Sequence, residues 1–124
     1  MYNMDQDLYR EQILDLHNNP HNKGVLSGAL QATEHNALCG DSITLYVVVN
    51  ENDTIVESSF DGTGCAVSQA SASLLTDYIK GKTVEDVCAL TQNDMERMLG
   101  VSLNVVRMRC AVLSLNAAQK AVKK

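Results

Sequence analysis

Residues 43–50 (Ile-Thr-Leu-Tyr-Val-Val-Val-Asn) and 54–61 (Thr-Ile-Val-Glu-Ser-Ser-Phe-Asp) constrain this chain more than any other feature. Both read as β-strands, and the polar turn Glu51-Asn52-Asp53 between them makes a hairpin. If Asn50 faces Asp53, Val47 meets Val56 and Ile43 meets Phe60, so one apolar face is matched by another. The same register sets Asp41 opposite Gly62 and Cys39 opposite Gly64, one residue from Cys65. Strand side chains alternate, so residues 39, 41 and 43 share a face. Two thiols and a carboxylate are therefore expected at the open end of the hairpin, a natural place for a metal or sulfur site.

A chain of 124 residues is long enough for one domain with a real core and too short for two ordinary ones. We expect residues 1–124 to form a single domain. Charged residues number 10 basic against 15 acidic, a net charge of -5, with no dense Lys/Arg run beyond Lys123-Lys124. That balance disfavours nucleic acid and anionic membranes as partners, because both reward a basic face. No apolar run approaches a membrane span, and the start Met-Tyr-Asn-Met-Asp-Gln-Asp is unlike a signal or transit peptide. The expectation is a cytoplasmic protein. In that reducing compartment four cysteines point to thiols or metal ligands rather than disulfides.

The spacing predicts a helix over 5–17, with Tyr9, Ile13 and Leu16 on one face and Asn18-Asn19-Pro20 as its stop. Residues 18–28 read as a loop and 29–34 as an edge strand. After Gly62-Thr63-Gly64, a helix over 65–80 ends at Gly81. Short helices are expected over 83–89 and 91–99, capped by Thr83 with Asp86 and by Thr91 with Asp94, as weakened capping boxes. A final helix over 104–122 carries Val106, Cys110, Leu113, Ala117 and Ala121 on one stripe. The fold class is α+β: a small antiparallel sheet of about three strands covered on one face by helices.

Cys65 follows two glycines and opens a helix, whose free N–H groups and partial positive charge stabilise a thiolate. The plainer reading is a small residue buried at a helix start. Cys39 and Asp41 form a C-x-D pair that gains meaning only through the register that sets it beside Cys65. Cys110 lies on an apolar stripe, where a free Cys is usually core. Arg107 and Arg109 flank it early in that helix, where cations oppose the macrodipole, so an anionic neighbour would account for them. Cys88, among Val84, Val87, Ala89 and Leu90, reads as core. His17, His21 and His35 have no paired spacing and read as surface residues. Neither C-x-x-C nor C-x-x-H occurs, so a closed zinc knuckle is not indicated. Three thiolates with one hard, exchangeable carboxylate suit zinc or an iron–sulfur cluster that is handed over.

These residues give the chain a resemblance to the NifU/IscU/SufU family of iron–sulfur cluster assembly scaffold proteins. The matching pieces are Tyr9, Asn19-Pro20-His21-Asn22-Lys23-Gly24, Cys39-Gly-Asp41, Phe60, Gly64-Cys65-Ala-Val-Ser-Gln-Ala-Ser-Ala-Ser and Arg109-Cys110-Ala-Val-Leu, in order over nearly the whole length. The resemblance implies a SufE/NifU-like α+β fold in which Cys39, Asp41, Cys65 and Cys110 hold zinc or a transient [2Fe–2S] cluster. It implies persulfide sulfur accepted from a pyridoxal-phosphate cysteine desulfurase, and sulfur or cluster passed to downstream acceptors. Ser68–Ser73 and Arg109-Cys110-Ala111 look like the SufU branch. The IscU branch usually has His before the third Cys and a Leu-Pro-Pro-Val-Lys chaperone motif; here Arg109 and Ser102-Leu-Asn-Val-Val106 stand instead. Only 44 residues separate Cys65 from Cys110, so the insertion typical of SufU is missing.

Four functions compete at this point: a scaffold and sulfur acceptor with Cys39 taking the persulfide, a zinc-dependent sulfurtransferase that relays persulfide without building a cluster, a thiol hydrolase using Cys65 with a His base, and a structural zinc domain. Asp41 argues against the last, and the lack of a motif-supported His near Cys65 against the third.

Overall fold

The structure is a computed structural model that describes residues 4–37 and 40–123, with side chains described from Arg10 onward. Nine elements follow one another: α1 (Met4–Asn18), β1 (Leu30–Asn36), β2 (Asp41–Val49), β3 (Ile55–Thr63), α2 (Ala66–Ile79), α3 (Val84–Cys88), α4 (Gln92–Leu99), α5 (Val105–Ala111) and α6 (Leu113–Val122). The strands form one antiparallel sheet in the order β1-β2-β3. The α+β class and the three strands agree with the sequence reading, and the edge strand runs two residues further than expected.

Alternation in β2 buries Ile43, Leu45 and Val47 completely, and they share a core with Phe60 and Ile55 of β3. Leu75 and Ile79 of α2 and Leu113, Leu115, Ala117 and Ala118 of α6 close that face. A second apolar cluster joins Ile13 and Leu16 of α1, Val67 and Ala70 of α2, Leu99 of α4, and Cys110 and Ala111 of α5. β3 is not left with a bare edge. Phe60 N–H donates to the Asn22 carbonyl at 3.0 Å and Gly24 N–H to the Phe60 carbonyl at 2.8 Å, so the polar loop before β1 pairs with it.

The hairpin register differs from the expected one by two residues. Leu45 pairs with Phe60, Ile43 with Gly62 and Val47 with Ser58. The turn is one residue longer than expected: Asn50 N–H donates to the Thr54 carbonyl at 2.9 Å, while Asn50 Oδ1 accepts the N–H groups of Asn52 and Thr54 at 2.9 and 3.0 Å. A bulge between Val48 and Val49 then leaves Val56 opposite nothing and 51% exposed. Two shifts of one residue sum to an even number, so the inward and outward faces are unchanged. At the open end, Asp41 takes the place opposite Gly64 that the expected register gave to Cys39.

Three further expectations change. The final helix is two, because Val112 (φ -90, ψ -3) ends α5 and begins α6. Val106 is 58% exposed and off the buried stripe. Cys88 is exposed rather than core, because α3 has only five residues and its neighbour Val87 takes the inward position. Both capping boxes are complete, since the short carboxylates of Asp86 and Asp94 reach back to the N–H groups of Thr83 and Thr91 at 3.1 and 2.8 Å.

Candidate functional site

Three elements deliver one chemical group each to the open end of the sheet. Asp41 is the first residue of β2, Cys65 is the N-cap of α2, and Cys110 lies in α5. Their ligand atoms all lie within 4.8 Å of one another. Metal–donor bonds of ~2.0–2.3 Å around one ion hold two donors at most ~4.6 Å apart, so the cluster is already near that span. Asp41 and Cys110 are 5% and 4% exposed, whereas Cys65 is exposed. Two soft sulfurs and one hard oxygen at such a spacing fit zinc or iron. Cys39, the fourth residue expected here, lies outside the described residues.

The backbone leading into Cys65 is shaped by close approach. At Gly62, with φ +132, a Cβ would collide with the Ser42 carbonyl oxygen. At Gly64 it would lie 3.0 Å from Ser68 Cβ and 3.2 Å from Asp41 Cγ. Gly62 therefore lets β3 press on the β2 backbone at Ser42, and Gly64 lets the start of α2 press on Asp41.

Ser68, one turn into α2, was not singled out for a role from sequence. Its Oγ donates to Asp41 Oδ2 at 2.7 Å and lies 3.5 Å from Cys65 Sγ and 3.4 Å from the Cys110 carbonyl oxygen. The available signal was its spacing, because position i+3 from Cys65 shares that face of the helix. Asn36, at the end of β1, brings Nδ2 to 4.0 Å from Cys110 Sγ, a contact between strand and helix that spacing alone does not reveal.

The two arginines beside Cys110 separate. Arg109 lines a cleft of about 310 Å³ with Glu34, His35, Asn36 and Asn116, and Arg107 lines one of about 420 Å³ with Arg10, Ile13, Val67 and Leu103. Among the described residues neither forms an ion pair. His17, His21 and His35 are exposed, as expected, and none joins the Asp41–Cys65–Cys110 group.

Residues 8–124 match the family described as the NifU-like N terminal domain. The chain belongs to the NifU-like N-terminal domain family. Among relatives of this NifU-like chain, the zinc-dependent sulfurtransferase SufU of Bacillus subtilis is 36% identical, the match covering 94% of this chain and 90% of that protein. The iron-sulfur cluster assembly scaffold protein IscU of Thermotoga maritima is 34% identical, covering 94% of each. A crystal structure of a putative scaffold protein for the SUF system from Fervidobacterium islandicum superimposes with a TM-score of 0.79 at 28% identity, over 91% of this chain and 95% of that one. The alignment to SufU spans 134 positions, more than the 124 residues available, so it opens gaps in this NifU-like chain. Among the described residues, no helix is long and apolar enough to cross a membrane.

Proposed function

We propose that this single-domain protein is a cytoplasmic iron–sulfur cluster assembly scaffold and sulfur acceptor, built on Cys39, Asp41, Cys65 and Cys110. The observation that carries the reading is the meeting of Asp41, Cys65 and Cys110 within 4.8 Å, with Cys39 two residues from Asp41 in the chain. The printed names of the IscU and SufU relatives support the same reading.

The chemistry follows from the residue types. A thiolate of this site, Cys39 in our reading, attacks the outer sulfur of a persulfide on a pyridoxal-phosphate cysteine desulfurase. The donor's S–S bond breaks as the new one forms, and the donor cysteine leaves as a thiolate. One neutral sulfur atom moves, so the exchange itself needs no oxidant or reductant. Zinc, when bound, would supply a redox-inert charge that keeps the thiols deprotonated and protected. In the scaffold role the cargo is a [2Fe–2S] cluster, and Asp41 is the hard ligand among soft ones that yields first when it is handed on.

A second reading, a zinc-dependent sulfurtransferase that relays persulfide without building a cluster, is favoured by the name of the SufU relative. Anaerobic purification with metal and sulfide analysis, followed by mixing with a desulfurase, cysteine and ferrous iron, separates the two. The scaffold reading expects sulfide and iron to accumulate on the chain. Persulfide on the chain with zinc retained and no iron uptake would leave only the relay. Absence of both metal and persulfide would remove the site.

A further inference from the structure

We propose that Lys23 is a positioning residue for Cys65, acting through the side-chain amide of Gln69. This deepens the reading above and rests on it, because the group positioned is one of the four assigned there. Gln69 is buried, at 4% exposure, yet makes three polar contacts. Its N–H donates to the Cys65 carbonyl at 3.1 Å, its Nε2 to the Gly62 carbonyl at 3.4 Å, and its Oε1 accepts from Lys23 Nζ at 3.2 Å. The first of these is the ordinary backbone bond that opens α2; the side chain is what ties the end of β3 at Gly62 to the first turn of that helix.

The direction of the amide is what Lys23 decides. An ammonium has donors only, so the oxygen of Gln69 must face it, leaving the NH₂ for Gly62. Without Lys23 only the long 3.4 Å bond to the Gly62 carbonyl orients the amide, and a turned-over amide would set its oxygen against the Gly62 oxygen. Gly62 and Gly64 bring no side chains to the turn, whose other ties are the pairing of β3 with β2 up to Thr63 and the Gly62 N–H bond to Asp61 Oδ1 at 2.9 Å. Lys23 is itself fixed by the backbone pairing of Asn22 and Gly24 with Phe60. Its Nζ also lies 6.0 Å from the Phe60 ring centroid, so a purely packing role is the alternative.

Four variants distinguish these roles. Lys23→Met keeps the stem over Phe60 and removes the donor; Lys23→Arg restores a donor. Gln69→Glu keeps the bond to Lys23 and loses the one to Gly62. Lys80→Met is the control: its Nζ bonds Asn22 Oδ1 at 2.6 Å, tethering the same loop without touching Gln69. Zinc affinity of the metal-free chain, measured by chelator competition, should fall about tenfold in Lys23→Met and Gln69→Glu, the low end for groups that orient a ligand. Lys23→Arg should recover most of that loss, and Lys80→Met should bind as the parent does even if its melting temperature drops. Parent-like affinity in Lys23→Met, or an equal loss in Lys80→Met, would overturn the proposal. Hydrogen exchange at the Gln69 amide gives a readout that needs no metal: faster in Lys23→Met, unchanged in Lys80→Met. If the parent chain binds no zinc, the functional reading fails while exchange still decides the role of Lys23.

Discussion

Ser68 Oγ donates a 2.7 Å hydrogen bond to Asp41 Oδ2, tying the buried carboxylate at the start of β2 to the helix that Cys65 opens. A hydroxyl has one proton to give, so the two longer contacts of the same oxygen, to the Cys110 carbonyl and Cys65 Sγ, are secondary. Without that donor Asp41 would be a carboxylate at 5% exposure with its desolvation uncompensated on that oxygen. The other oxygen stays available for a ligand.

Replacing Asp41 by Ala should slow release of a reconstituted cluster, because the one hard ligand among soft ones is gone. Transfer to an apo-ferredoxin or to a chelator measures this directly. Equal or faster release from the variant would show that Asp41 does not govern hand-over.

Persulfide should be found mainly on Cys39, with Cys110 mainly a ligand, after incubation with desulfurase and cysteine. Cys110 is 4% exposed and packed in the cluster with Ile13, Leu16 and Leu99, so its sulfur cannot meet a partner's active site without moving α5. Mass spectrometry on the three single Cys→Ser variants checks the assignment. Parent-rate acceptance by Cys39→Ser, with none by Cys110→Ser, would reverse the two roles.

Gly62→Ala and Gly64→Ala should fail differently. The first forces a Cβ into the Ser42 carbonyl at φ +132 and should destabilise the fold by about 2–4 kcal/mol. The second crowds Asp41 Cγ and Ser68 Cβ at 3.2 and 3.0 Å, contacts that yield by small shifts, so the fold should survive with weaker metal binding. Urea unfolding beside zinc competition reads both, and equal stability losses would contradict the distinction.

The two capping boxes set an acid limit on stability. The Thr91 N–H, helped by its hydroxyl and Arg97 against slight desolvation, holds the Asp94 carboxyl below its ordinary value of 3.8. The Thr83 N–H does the same for Asp86, joined by its hydroxyl and Lys82, again against slight desolvation. A pKa lower in the folded than in the unfolded state means the stabilisation is present above the ordinary value. It is lost as pH falls through the lower folded one. Asp86→Ala/Asp94→Ala should therefore be less stable than the parent at neutral pH, with the gap narrowing below about pH 4. A gap in urea midpoints that does not change with pH would exclude the carboxylate charges as its source.

Period and punctuation alone determined most of the architecture. Alternation through Ile43, Leu45 and Val47 specified a buried strand face, and spacing with caps located the helices to within a few residues. The resemblance carried by Cys39-Gly-Asp41, Cys65 and Arg109-Cys110 points to the family from the sequence alone. Register was set at the turn and the bulge: Asn50 Oδ1 accepts the Asn52 and Thr54 N–H groups and lengthens the turn by one residue, and the bulge at Val56, which depends on how the two strands pair, adds one more. Strand period 2 makes such a shift silent in the sequence, because an even shift leaves every side chain on its face while moving it along the sheet. The outward turn of Cys88 and the gathering of Ser68, Gln69 and Lys23 around the site belong to the tertiary structure. Such contacts join residues far apart in sequence, and their partners are set by how helices pack on the sheet rather than by the residues next to them.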